Sequence, residues 1–121
     1  VASFEDLTAY QRAVALADDL RAAVDRWSSM DQWTVGVQLV RAADSVGANI
    51  AEAFGRATPR DQQRFLLFAR GSVYEVQHWI ERAFARSLTD DQSLRARAAE
   101  VGRLVNGLHR AHRARARATS N

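Results

Sequence analysis

Apolar residues recur along this chain at steps of three and four, which is the period of an α-helix with one buried face. Leu7, Tyr10, Val14, Ala17, Leu20, Val24 and Trp27 mark a first helix, A, whose start Ser3 and Asp6 would cap. Ser28–Asp31 reads as a polar break, and helix B then runs from about Trp33 to Arg56. Gly55 closes it, where a left-handed C-cap would favour glycine. Thr58, Pro59 and Asp61 supply a cap, a first-turn proline and an acid near the positive end of the helix dipole, so helix C starts there. It continues to about Ser87 with Phe65, Ala69, Val73, Val76, Ile80, Ala83 and Phe84 on one face. Thr89 and Gln92 open helix D, which buries Leu94, Ala98, Val101, Leu104, Val105 and Leu108.

No segment alternates with the period of a strand, so the chain is all-α. Four helices on short connections predict an antiparallel up-down four-helix bundle. Residues 1–112 form that domain. Residues 113–121, with no apolar face, are expected to fray or to be a disordered basic tail.

Helix B departs from the pattern of a surface helix. Val35, Leu39, Ala42, Val46, Ile50 and Ala53 fill its core face, but Val37, Val40, Gly47, Ala48 and Ala51 occupy the opposite side with Asp44 as the one charge. A helix apolar on two sides is buried on two sides, and a bundle of this size buries only one. A homo-oligomer with helix B at the subunit interface is therefore expected, the chain being its own partner. A third, polar stripe carries Gln38, Arg41, Ser45, Asn49, Glu52 and Arg56. Partly buried polar groups need partners, and Arg64, Arg70, Ser72, Glu75 and Arg82 of helix C are the candidates for cross-helix pairs.

Composition narrows the function. The 121 residues hold 17 basic and 14 acidic side chains, one proline and no cysteine, which excludes a disulfide framework and thiolate chemistry. Charged residues interrupt the first twenty positions, so no signal peptide is expected there. No apolar run reaches the length of a membrane span, and a cytoplasmic protein with no membrane partner is expected. All the acids precede Val101, whereas Arg103, Arg110, Arg113, Arg115 and Arg117 follow it, so the net charge of +3 belongs to the C-terminal end. Arg110, Arg113, Arg115 and Arg117 are the candidate contacts to nucleic-acid phosphates, RNA or DNA, without sequence preference.

Two further patterns carry chemistry. Glu75 and His78 have the Glu-x-x-His spacing of di-iron bundles, but no second copy of the motif supplies the other ligands, so neither metal nor cofactor is expected. Arg103 and His109 have a spacing similar to that of HEPN-type helical ribonucleases, where such a pair grips phosphate and moves a proton. That gives an alternative enzymatic reading, although Leu104 stands where a polar residue usually follows the arginine.

The stretch Gln38-Leu-Val-Arg-Ala-Ala-Asp-Ser-Val-Gly-Ala-Asn-Ile-Ala-Glu52, with Arg64-Phe-Leu-Leu-Phe-Ala-Arg-Gly-Ser-Val-Tyr-Glu75 after the Thr58-Pro59 cap, resembles the signature of the bacterial four-helix bundle proteins. These are also called 23S ribosomal RNA intervening-sequence proteins. Ser3-Phe4-Glu5-Asp6-Leu7 is similar to the family's opening. The chain departs from the pattern at Gly47, where the family has proline, and at Ala53, where it has glycine. The resemblance implies a small bundle that assembles as a ring-like homopentamer without established enzymatic activity. It also implies a fold similar to the accessory protein of diversity-generating retroelements, which binds a reverse transcriptase and nucleic acid. By position, the signature residues are Arg41, Ser45, Asn49, Glu52, Arg70, Ser72 and Glu75, the polar stripes already isolated.

Overall fold

The structure, a computed structural model, describes residues 3–120; residues 1, 2 and 121, at the ends of the expected bundle and tail, lie outside the described residues. A 3-10 turn, Phe4–Asp6, leads into α1 (Thr8–Val24). The one-turn helix α2 (Ser29–Asp31), a π-helical segment (Gln32–Gly36) and α3 (Val37–Phe54) follow without a break. The helices α4 (Pro59–Ala85) and α5 (Ser93–Ser120) complete the chain. Among the described residues there are four long helices and no strand.

Side-chain caps open several of the helical segments, though not always where the spacing of apolar residues suggests. The Ser3 hydroxyl accepts from Glu5 N and so caps the 3-10 turn, while α1 starts five residues later without a side-chain cap. Ser28–Asp31 is no break. Ser28 is the N-cap of the second helix, accepting from Asp31 N, and Gln32 Nε2 donates to the end carbonyls of α1 at Val24 and Asp25. Thr58 accepts from Asp61 N at 3.1 Å with Pro59 in the first turn, as the sequence requires. Thr89 and Asp91 form two successive side-chain turns, to Asp91 N and Ser93 N, and these delay α5 to Ser93.

The helix ends differ from expectation in two places. Gly55 caps α3 with φ −82°, a right-handed conformation, and Arg56 N closes the turn on Ala53 O. The left-handed cap falls instead at Ser87, φ 58°, after α4. Ser87 N donates to Phe84 O and Leu88 N to Ala83 O, the paired bonds of a Schellman motif. At the other extreme, α5 does not fray after His112: it continues to Ser120, and Ala116 is buried. Alternating Arg and Ala have high intrinsic helix propensity, which carries the helix past the point where the continuous apolar face stops.

Helix α1 packs against α3 and α5, and α4 packs against the same two, so sequential helices are neighbours and α5 closes on α1. That adjacency, with the short connections, is the up-down bundle. One core runs along its axis, with Leu20, Leu39, Ile50, Leu66, Ile80, Val76 and Val105 fully buried. Burial of such side chains, at about 25 cal/mol per Å² of apolar surface, is the main term that stabilises the fold. Ion pairs sit at its edges: Arg97 with Asp19 at 2.7 Å, Arg12 with Glu100 at 3.5 Å, and Arg95 with Glu81 through two bonds of 2.7 and 2.9 Å. None of the described helices is long and apolar enough to cross a membrane.

Candidate functional site

The polar stripe of α3 is satisfied by its own helix. Ser45 Oγ donates to Arg41 O at 2.8 Å, and Asn49 Nδ2 donates to Ser45 O at 2.9 Å. Arg56 pairs with Glu52 one turn back. The expected cross-helix pairs with α4 do not form. Short Ser and Asn side chains reach the carbonyl four residues earlier more easily than a neighbouring helix. Arg64 pairs with Asp61 on α4 itself, and Arg41, Arg70 and Glu75 take part in no ion pair among the described residues. Ser72 is half-buried. Arg56 connects the α3 stripe to α4: its guanidinium lies 4.3 Å from the centre of the Phe65 ring, and its carbonyl accepts from Gln62 Nε2 at 3.0 Å.

The far side of α3 is a groove shared with α1. Gly47, which the helical pattern places on that outer side, is buried against Tyr10 and Val14. Around it Ala17, Ala48 and Ala51 wall a cavity of about 290 Å³. A second hollow of about 260 Å³ continues the groove past Val37 and Val40 to Trp33. The Trp33 and Met30 side chains stand in solvent, 77% and 76% exposed.

The arginines of the C-terminal half of α5 form the third feature. Arg110, Arg113, Arg115 and Arg117 are all exposed, and none is in an ion pair among the described residues. The Glu81–Arg95 pair and the approach of Gly102 to Val73 fix the antiparallel register of α4 and α5. In that register these arginines lie beside the first turns of α4, which carry Arg60 and Arg64. This end of the bundle therefore gathers several guanidinium groups where a phosphate backbone could meet them, with Asp61 beside Arg64 as the acid of those turns.

Arg103 and His109 do not come together. Six positions along one continuous helix leave them about 120° apart around its axis. Arg103 is exposed, whereas His109 is 7% exposed, with Nε2 buried and unpartnered. Burial first, then the charges of Arg70, Arg113 and His112, lower the His109 pKa. His112 is also lowered, mainly by burial, against the opposing hydrogen bond of its Nδ1 with Leu108 O. Arg103 and His109 are thus not presented side by side to a common phosphate. His78 is exposed with its ring edge-on to Trp79, and among the described residues no three His, Asp or Glu groups gather where they could hold a metal ion.

Sequence reasoning missed the outer face of α4. Leu67, Phe68 and Tyr74 are 36%, 51% and 61% exposed, and they sit where the core arc through Leu66, Ala69, Val73 and Val76 turns its back. Plotting the apolar residues outside that arc would have revealed them.

A family model described as 23S rRNA-intervening sequence protein matches residues 5–109. No curated protein matches the chain. The matched region covers the bundle and both polar stripes and ends just before Arg110.

Proposed function

The chain belongs to the 23S rRNA-intervening sequence protein family, and from that premise we propose that it is a non-catalytic, homo-oligomeric bundle that binds nucleic acid through the basic end of α5. The reading is carried by one observation. Arg110, Arg113, Arg115 and Arg117 stand exposed on an ordered helix, unopposed by any acid after Glu100. Guanidinium groups on a helix hold phosphates at fixed spacing, and no exposed aromatic of α5 is available to read bases, so binding is independent of sequence. Assembly multiplies the effect, because a ring, a pentamer as the family resemblance implies, would present one such basic end per subunit.

The test is fluorescence anisotropy with labelled RNA and DNA, from ~50 to ~200 mM salt. It compares the wild type with a chain in which the four arginines become glutamine. Glutamine keeps the helix and removes the charge. For every phosphate no longer neutralised, the log–log salt slope should flatten by about 0.7 on single strands or 0.9 on duplex. An unchanged affinity and slope contradict the proposal, and a complex with an enzyme that survives both high salt and the substitutions would point to a protein partner instead.

A further inference from the structure

The single chain leaves two apolar surfaces uncovered, and their shapes are opposite. The α3 side of the α1/α3 groove is made of small side chains, Gly47, Ala48 and Ala51, while Tyr10 and Val14 of α1, with Phe4, form the opposite wall. The outer face of α4 is a ridge: Leu67, Phe68 and Tyr74 project around Gly71, whose Cβ position has nothing within 4 Å. A ridge of large side chains and a lane of small ones are what two packing helices require of each other. Each surface is also bordered by one cation and one anion, so opposite charges are available across a contact. Arg41 and Asp44 border the groove and Glu75 and Arg82 border the ridge; all four are exposed and outside every ion pair among the described residues.

The two surfaces cannot meet within one chain, because α4 lies across the bundle from α1. We propose that the α4 ridge of one copy seats in the α1/α3 groove of the next, with Arg41 of one copy facing Glu75 of the other. This rests on the homo-oligomer reading above and adds to it which faces meet. The contact is heterologous, each copy lending its ridge to one neighbour and its groove to another. A repeated heterologous contact closes into a ring when its rotation permits.

Light scattering tests it with a ridge variant, L67E/Y74E, and a groove variant, Ala48→Arg, all at exposed positions, with helix content followed by circular dichroism. The wild type should be a multimer and each variant a monomer of 13.5 kDa. Mixed together, the variants retain one intact ridge and one intact groove, so they should pair at twice that mass and grow no further. Arg41→Glu or Glu75→Arg alone should dissociate the assembly, and the two combined in one chain should restore it. A monomeric wild type overturns the oligomer reading itself. A multimeric wild type whose variants stay multimeric overturns this inference alone, as do monomeric variants that fail to pair. Failure of the combined exchange to restore the multimer overturns the Arg41–Glu75 facing.

Discussion

Val24 closes directly over Gly36: a Cβ placed on that glycine would stand 2.7 Å from Val24 Cγ1 and 3.2 Å from the Asp31 carbonyl oxygen. The glycine ends the π-helical segment that joins α2 to α3, and its lack of a side chain lets the segment lie against the last turn of α1. Gly47, about three turns further along, differs. Its Cβ would meet Val14 Cγ2 at 3.4 Å and Tyr10 Cε1 at 3.6 Å, which is ordinary contact.

Alanine should therefore act with opposite sign at the two positions. Gly36→Ala overpacks a buried contact and should cost about 1–3 kcal/mol. Gly47→Ala gains helix propensity without a clash and should stabilise by up to about 1 kcal/mol. Urea unfolding midpoints, at constant m-value, measure both; equal losses would contradict the account of Gly47.

Ser87 carries a local strain that glycine would remove. It holds φ 58° in the Schellman motif after α4, a conformation in which a Cβ crowds the following carbonyl. Ser87→Gly should raise stability by about 0.5–1 kcal/mol, the relief being partly offset by the freer unfolded chain. A lower thermal midpoint for this variant would rule the strain out.

The apolar period located the four long helices and the face each one buries, because burial of one face fixes the helix and its direction together, but not their ends: Leu7 and Trp27, within the first apolar run, lie outside α1. Thr58, Pro59 and Asp61 were also legible, since capping chemistry is local. The helix starts at Ser28 and Ser93 were not. Several serine, threonine and aspartate side chains compete for the same amide groups there, and the tertiary fit of Gln32 on α1 decides between them. The polar stripe of α3 was visible as a stripe, but its partners were not. Nothing in the spacing of Ser45 and Asn49 distinguishes a bond to the next helix from a bond to their own backbone. His109 was read by motif and turned out to be a core position, which its place in the run Ala98, Val101, Val105 already implied.

That burial makes His109 a liability in acid. The unfolded chain takes up a proton near the ordinary histidine pKa of about 6.5. The folded chain takes it up lower, because burial and the nearby Arg70 and Arg113 disfavour the cation. Between the two values the unfolded state binds more protons, so stability falls as pH drops below about 6.5 and levels off below the folded pKa. His112 adds to the fall in the same direction. His109→Leu removes an unpartnered buried nitrogen; it should stabilise by about 1 kcal/mol at neutral pH and flatten part of the acid slope, with His112 leaving the rest. Unfolding curves at neutral and mildly acidic pH decide it, and a variant as acid-sensitive as the wild type would be evidence against the burial argument.

The helical course of α5 to Ser120 makes the four arginines inequivalent, and this separates an ordered basic surface from a flexible tail. On a helix, Arg110, Arg113 and Arg117 follow at steps of three and four and share one flank of the buried Ala116. Arg115 falls on the other flank. A phosphate backbone docked against one flank engages either the three or the one. Replacing Arg110, Arg113 and Arg117 one at a time with glutamine should therefore give similar reductions of the salt slope, each about 0.7 to 0.9, while Arg115→Gln leaves it nearly unchanged. The reverse pattern would place the nucleic acid on the Arg115 flank and keep the helix. A frayed tail has no flanks, so equal effects from all four would mean that the residues after His112 bind as a flexible chain. Hydrogen exchange separates the same alternatives without any ligand: amides from Arg113 to Arg117 held in a helix exchange more slowly than in an unstructured peptide.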